Sequence, residues 1–96
     1  MTVKEKLDIK LTAEKKKLLE YMGKPYTTKI IDYENCVYLD LGDYDIEVSS
    51  ICMQFVIYVW KKKRGLEILE THYSAKKDLE GTKAILKRIE EKYSKK

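Results

Sequence analysis

The stretch VYLDLGDYDIEV, residues 37–48, decides how the rest of the chain is read. Apolar and polar residues alternate on both sides of Gly42-Asp43, the period of a strand buried on one face. A two-residue loop there sets Leu41 opposite Tyr44, Leu39 opposite Ile46 and Val37 opposite Val48. In this register the apolar residues share one face, while Tyr38, Asp40, Asp45 and Glu47 share the other. A slip of one residue would turn Leu39, Leu41, Tyr44 and Ile46 to water, so this register is expected.

Toward the N-terminus, residues 27–33 predict another strand, with a short turn at Glu34-Asn35 that aligns Ile31 and Tyr33 with the core face. Residues 12–22 predict a helix. Thr12 is placed to cap it, Glu14 lies near the positive end of its dipole, and Leu11, Leu18, Leu19 and Met22 form one stripe. Gly23 suits the left-handed position after the last turn, and Pro25 prevents continuation. Before Thr12, Val3, Leu7 and Leu11 keep helical spacing while Leu7, Ile9 and Leu11 alternate like a strand; a helical or irregular lead-in is expected.

Toward the C-terminus the parity changes. Val48 is even, whereas Ile51, Met53, Phe55, Ile57 and Val59 are odd, which predicts a bend or bulge near Ser49-Ser50. Val56, Tyr58 and Trp60 give the strand over residues 53–60 a second apolar face and place it centrally. LEILETHY, residues 66–73, returns as its partner. Leu79, Thr82, Leu86, Ile89 and Tyr93 step by three and four, so residues 75–93 predict a helix capped by Ser74 or Asp78. The result is an α+β fold: an N-terminal helix over 12–22, an antiparallel meander of four to five strands over 27–73, and a C-terminal helix packed on the sheet.

Ninety-six residues suit one domain, 1–96, and four glycines with one proline leave no linker-like stretch. The longest apolar run, residues 55–60, is far short of the roughly 20 needed to span a bilayer. Alternating charges occupy the N-terminus where a signal peptide needs an apolar segment. A soluble, cytoplasmic protein without a membrane partner is expected. Cys36 and Cys52 lack the spacing of a redox pair or zinc site, and His72, the single histidine, reads as a packing or hydrogen-bonding residue. There is no glycine-rich phosphate loop and no HExxH. No catalytic residue, cofactor, metal or small-molecule substrate is expected; the chain does not read as an enzyme.

Charge is segregated. Residues 1–24 carry +3, residues 25–60 carry −5 and residues 61–96 carry +6. The run Lys61-Lys62-Lys63-Arg64 at a hairpin tip reads either as solvated surface or, with Trp60 beside it and Lys76, Lys77, Lys83, Lys87 and Arg88 later on, as a basic rim for nucleic-acid backbone. The acidic face reads in two ways as well. The hairpin register sets Asp40 opposite Asp45 beside Tyr38 and Glu47, a local conflict relieved by nearby lysines or by a docked partner. Eight tyrosines are many for this length. Alternation sends Tyr33 and Tyr44 inward and leaves Tyr38, Tyr58 and Trp60 on the second face, suited to a protein partner or homodimer.

The order of elements, with a last helix preceded by Lys-Lys, resembles the double-stranded-RNA-binding domain, whose final helix opens on a Lys-Lys-x-Ala-Lys pattern. Lys76-Lys77-Asp78-Leu79-Glu80 puts Leu79 at the small residue and Glu80 at the third cation, so the resemblance is one of topology and implies no function. Two functional expectations follow. The first is a small non-enzymatic protein that holds nucleic acid on its basic rim. The second is a protein-binding, inhibitory or self-associating module using Tyr38, Asp40, Asp45, Glu47 and Tyr58.

Overall fold

The computed structural model describes residues 10–62 and 67–94. The chain runs α1 (Ala13–Met22), β1 (Thr27–Ile31), β2 (Glu34–Asp40), β3 (Tyr44–Ile51), β4 (Gln54–Lys61), β5 (Glu67–Ala75) and α2 (Leu79–Ser94). The five strands lie side by side in chain order and each neighbouring pair is antiparallel. This is the α+β meander expected. The lead-in over residues 1–9 and the tip residues Lys63 and Arg64 fall outside the described residues.

Local signals set the ends of α1. Thr12 Oγ1 accepts from the Lys15 N–H at 3.3 Å, and Gly23, at φ +69°, returns its N–H to the Leu19 carbonyl at 2.9 Å. The central hairpin has the register its alternation required: Val37 faces Val48, Leu39 faces Ile46 and Asp40 faces Asp45. Leu41 N–H closes the turn on the Tyr44 carbonyl at 2.8 Å, and Gly42 takes up φ +94°.

Four expectations need correction. The strand read over 27–33 ends at Ile31, and the turn is Asp32-Tyr33, not Glu34-Asn35. Both turn residues adopt positive φ, 51° and 63°, the geometry that matches strand twist in a two-residue hairpin. Tyr33 is therefore 78% exposed instead of facing the core. No bulge interrupts Ser49-Ser50; β3 continues to Ile51 and turns through Cys52-Met53. Val48 pairs with Ile57, so a plain two-residue hairpin already converts even core positions to odd ones. The irregularity lies instead on β5, where Val59 pairs with Glu70 and Trp60 with Ile68, leaving Leu69 as the extra residue. Finally, α2 starts at Leu79, not residue 75, because Lys76 N–H still bonds the Met53 carbonyl at 3.0 Å and prolongs β5. Asp78 caps α2 by accepting the Gly81 N–H at 2.9 Å, and its carboxylate fills the space a side chain at Gly81 would need. Ser74 pairs with the Thr82 hydroxyl at 2.6 Å instead of capping.

Both helices cover the same sheet face. Leu18 and Met22 from α1 and Leu86 and Ile89 from α2 close over Val37, Leu39, Ile46, Val48, Phe55, Ile57 and Val59. Each such side chain contributes about 1.5–3 kcal/mol by leaving water. The two helices thus consume one face of the sheet and leave the other to its own side chains. No described helix is long and apolar enough to cross a membrane.

Candidate interaction face

Antiparallel pairing places Lys29, Cys36, Tyr38, Asp40, Asp45, Glu47, Val56, Tyr58, Trp60, Thr71 and Tyr73 on the second face, away from the core. Among the described residues no helix lies over it. The sequence-predicted face residues Tyr38, Asp40, Asp45, Glu47 and Tyr58 are brought together there, and Trp60 joins them.

The half of the face on β2 and β3 is acidic but satisfied from within. Lys62 Nζ sits 2.5 Å from Asp40 Oδ1 and 3.2 Å from Asp45 Oδ1, so the facing carboxylates share one ammonium. The Lys62 hydrogen bond, helped by the Gly42 N–H, lowers the Asp40 pKa. Tyr38 crosses diagonally to donate to Asp45 at 2.6 Å. Burial first, then that carboxylate, raises the Tyr38 pKa. Lys29 lies 4.8 Å over the Tyr38 ring.

Glu47 is buried on this face. Its two oxygens accept the Trp60 indole N–H at 2.8 Å and the Cys36 thiol at 3.8 Å. Burial raises its pKa against the opposing effect of both donors. Burial and the adjacent Glu47 push the Cys36 thiol up to about 12, so it stays protonated and unreactive at neutral pH. At the end of the same face Glu34 binds Lys15, whose side chain is fully sunk, at 2.6 Å, with Ser49 Oγ at 2.6 Å and Ser50 N–H at 3.3 Å. Burial would raise the Glu34 pKa, but these donors outweigh it and the value is lowered. Lys15, Glu34, Cys36 and Ser49 carried no sequence signal, because each matters only through a partner on another element.

The half on β4 and β5 differs. Val56, Tyr58 and Trp60 line it, with the Tyr58 and Trp60 ring centroids 6.3 Å apart. Ile68, opposite Trp60, is 45% exposed, and Tyr73, opposite Val56, is 58% exposed. Ile51, at the far end of β3, is exposed as well. The sequence signal for Ile68 and Tyr73 was masked by the bulge at Leu69, which breaks simple alternation. Between β1 and Trp60 a hollow of about 350 Å3 is lined by Lys29, Ile31, Asp32, Asp45 and Glu47.

The residues read as a basic rim are dispersed. Lys62 is taken by Asp40 and Asp45. Lys76 bonds Met53 and Lys61 ends β4, eight residues further along, roughly 26 Å at about 3.3 Å per residue. Lys83 lies 5.3 Å over the Tyr21 ring, and Lys87 approaches Glu90 at 3.5 Å. Arg88 borders a separate hollow between α2 and β5 with His72 and Lys92. Trp60, read as a base-stacking residue beside the cations, points its polar edge at an acid instead.

Comparison with protein families, curated proteins and solved structures finds no match. The reading of this face therefore rests on its own chemistry.

Proposed function

We propose that the protein is a non-enzymatic module that binds another protein through its helix-free sheet face. One observation carries this reading. Tyr58, Trp60, Ile68 and Tyr73 form an apolar and aromatic patch around the buried Val56, beside carboxylates that the chain has already neutralised. Desolvating such a face costs little, because few bare charges lose water, whereas its aromatic area adds favourable burial. Five strands at about 4.8 Å spacing and eight residues of length make a surface of roughly 24 by 26 Å. That is on the order of 600 Å2 in projection, close to the roughly 800 Å2 each partner contributes to a stable interface. Asp45 and Glu47 at the hollow are already partnered within the chain, so the fitting partner presents an apolar surface there.

A photo-crosslinker placed at Tyr73 tests the reading, with another at Lys17 on α1 as control. A partner captured from Tyr73 alone, which as purified protein loses affinity on Ile51→Lys and Ile68→Lys, is the expected result. A second reading keeps nucleic acid as the partner, supported by Lys76, Lys77, Lys83, Lys87 and Arg88 on and before α2. Binding of a short duplex RNA or DNA that falls steeply with salt, and is unchanged by Ile51→Lys and Ile68→Lys, would favour it and displace the first.

A further inference from the structure

We infer that the outer edge of β5 pairs antiparallel with β5 of a second copy, about a two-fold axis at Thr71. This goes beyond the docking face, since it concerns the rim of the sheet and a different occupant.

The two rims of the sheet are unequal. β1 has five residues with Lys29 at its middle, a common way of discouraging edge pairing. β5 has nine residues, Glu67–Ala75, and contains no lysine, arginine or proline. No described element lies beyond it in the sheet. The direction of its amides follows from two bonds. Lys76 N–H bonds the Met53 carbonyl, and Lys62 N–H bonds the Asp43 carbonyl across the neighbouring ladder. Antiparallel ladders alternate, so Phe55, Ile57 and Val59 turn their amides toward β5, and their partners Ser74, His72 and Glu70 answer them. Thr71 and Tyr73 therefore send both N–H and C=O outward, away from β4, while the Ala75 carbonyl is taken by the Asp78 N–H at 3.0 Å.

The sequence of β5 is complementary to itself about Thr71. Antiparallel pairing through that point sets Thr71 against Thr71 of the second copy, Glu70 against His72, and Leu69 against Tyr73. Facing threonines and an aliphatic facing an aromatic residue are favourable cross-strand pairs, and Glu70 and His72, already bonded to each other within each chain at 2.8 Å, bring no like charges together. Moving the axis to Glu70 would set two carboxylates face to face. Lys92, the nearest cation on α2, is already paired with Glu70 at 2.7 Å, so the approaching edges do not present bare like charges. The extra residue Leu69 limits the ladder to its centre, which makes the contact small and the dimer a weak, reversible one. Pairing joins the two helix-free faces into one ten-stranded surface.

Thr71→Pro is the direct test. Proline removes an N–H that points outward, which edge strands tolerate, and leaves the β4 ladder intact. Sedimentation of the full chain should show a concentration-dependent dimer whose dissociation constant rises at least about tenfold in Thr71→Pro, with an unchanged circular-dichroism spectrum. In the unaltered protein, the amide of Thr71 should gain protection from hydrogen exchange as concentration rises, which needs no variant to fold. A protein that stays monomeric to about 100 micromolar, near the weak end for so small a contact, overturns the inference. So does a dimer that Ile51→Lys breaks and Thr71→Pro does not, which would move the second copy onto the sheet face. Edge pairing with no partner on the face leaves the inference standing while the docking proposal falls.

Discussion

The same five strands are disciplined on their two faces by different forces. On the helix-covered face, order comes from volume: Phe55, Ile57, Val59, Val37 and Val48 are fully buried in one apolar cluster with the two helices. On the other face, order comes from directed bonds, with Tyr38 to Asp45, Trp60 to Glu47, Lys62 to Asp40 and Lys15 to Glu34. Packing is non-directional and sums over area, so loss of one core side chain is costly. Directed bonds exchange for water at small net gain, so loss of one costs less but is felt through pH.

The comparison is broken most severely from the core side. Phe55→Ala should cost about 3–5 kcal/mol by denaturant unfolding, since transfer and cavity terms add. A loss below about 1 kcal/mol would mean that the helices do not pack as described.

Glu70 marks the seam between the layers, accepting from Lys92 at 2.7 Å, from Tyr93 and from His72 at 2.8 Å. The Lys92 hydrogen bond first, then those of Tyr93 and His72, holds its pKa down at about 2. A depressed acid adds stability that is present above its unfolded pKa and is lost as pH falls through the folded one. Glu70→Gln should therefore cost about 1–2 kcal/mol at pH 7, discounted for the solvated Lys92 ammonium, and almost nothing near pH 2. Equal losses at both pH values would remove the ionic part of this argument.

Glu47 has the opposite sign. Its folded pKa is raised by burial, so the folded state holds its proton more tightly than the unfolded chain and stability falls as pH rises through that window. Glu47→Gln keeps an acceptor for Trp60 and removes the buried charge. The variant should match the parent near pH 4 and exceed it by up to about 1 kcal/mol at pH 7. A loss at pH 7 would show that the charge itself is needed for the Trp60 contact. The smallest effect is expected at Tyr73→Lys, within about 0.5 kcal/mol, because the ring is exposed in the isolated chain.

Period and turn chemistry made the helices, the central hairpin and its register legible from residues alone, because alternation and helical stepping are local and admit one buried solution. The facing of Asp40 and Asp45, and the gathering of Tyr38, Glu47, Tyr58 and Trp60 on one face, followed from the same register. Three features did not. The turn at Asp32-Tyr33 displaced the one read at Glu34-Asn35, because Glu34 is kept in the sheet by Lys15, nineteen residues away. The Leu69 bulge hid Ile68 and Tyr73, since an extra residue shifts parity without any signature of its own. The acidic conflict was resolved by Lys62, which sequence alone assigned to a basic rim. Local periodicity is written into neighbouring residues and can be read there. The neutralisation of charge depends on which distant side chains the sheet brings within about 3 Å, and only tertiary pairing decides that.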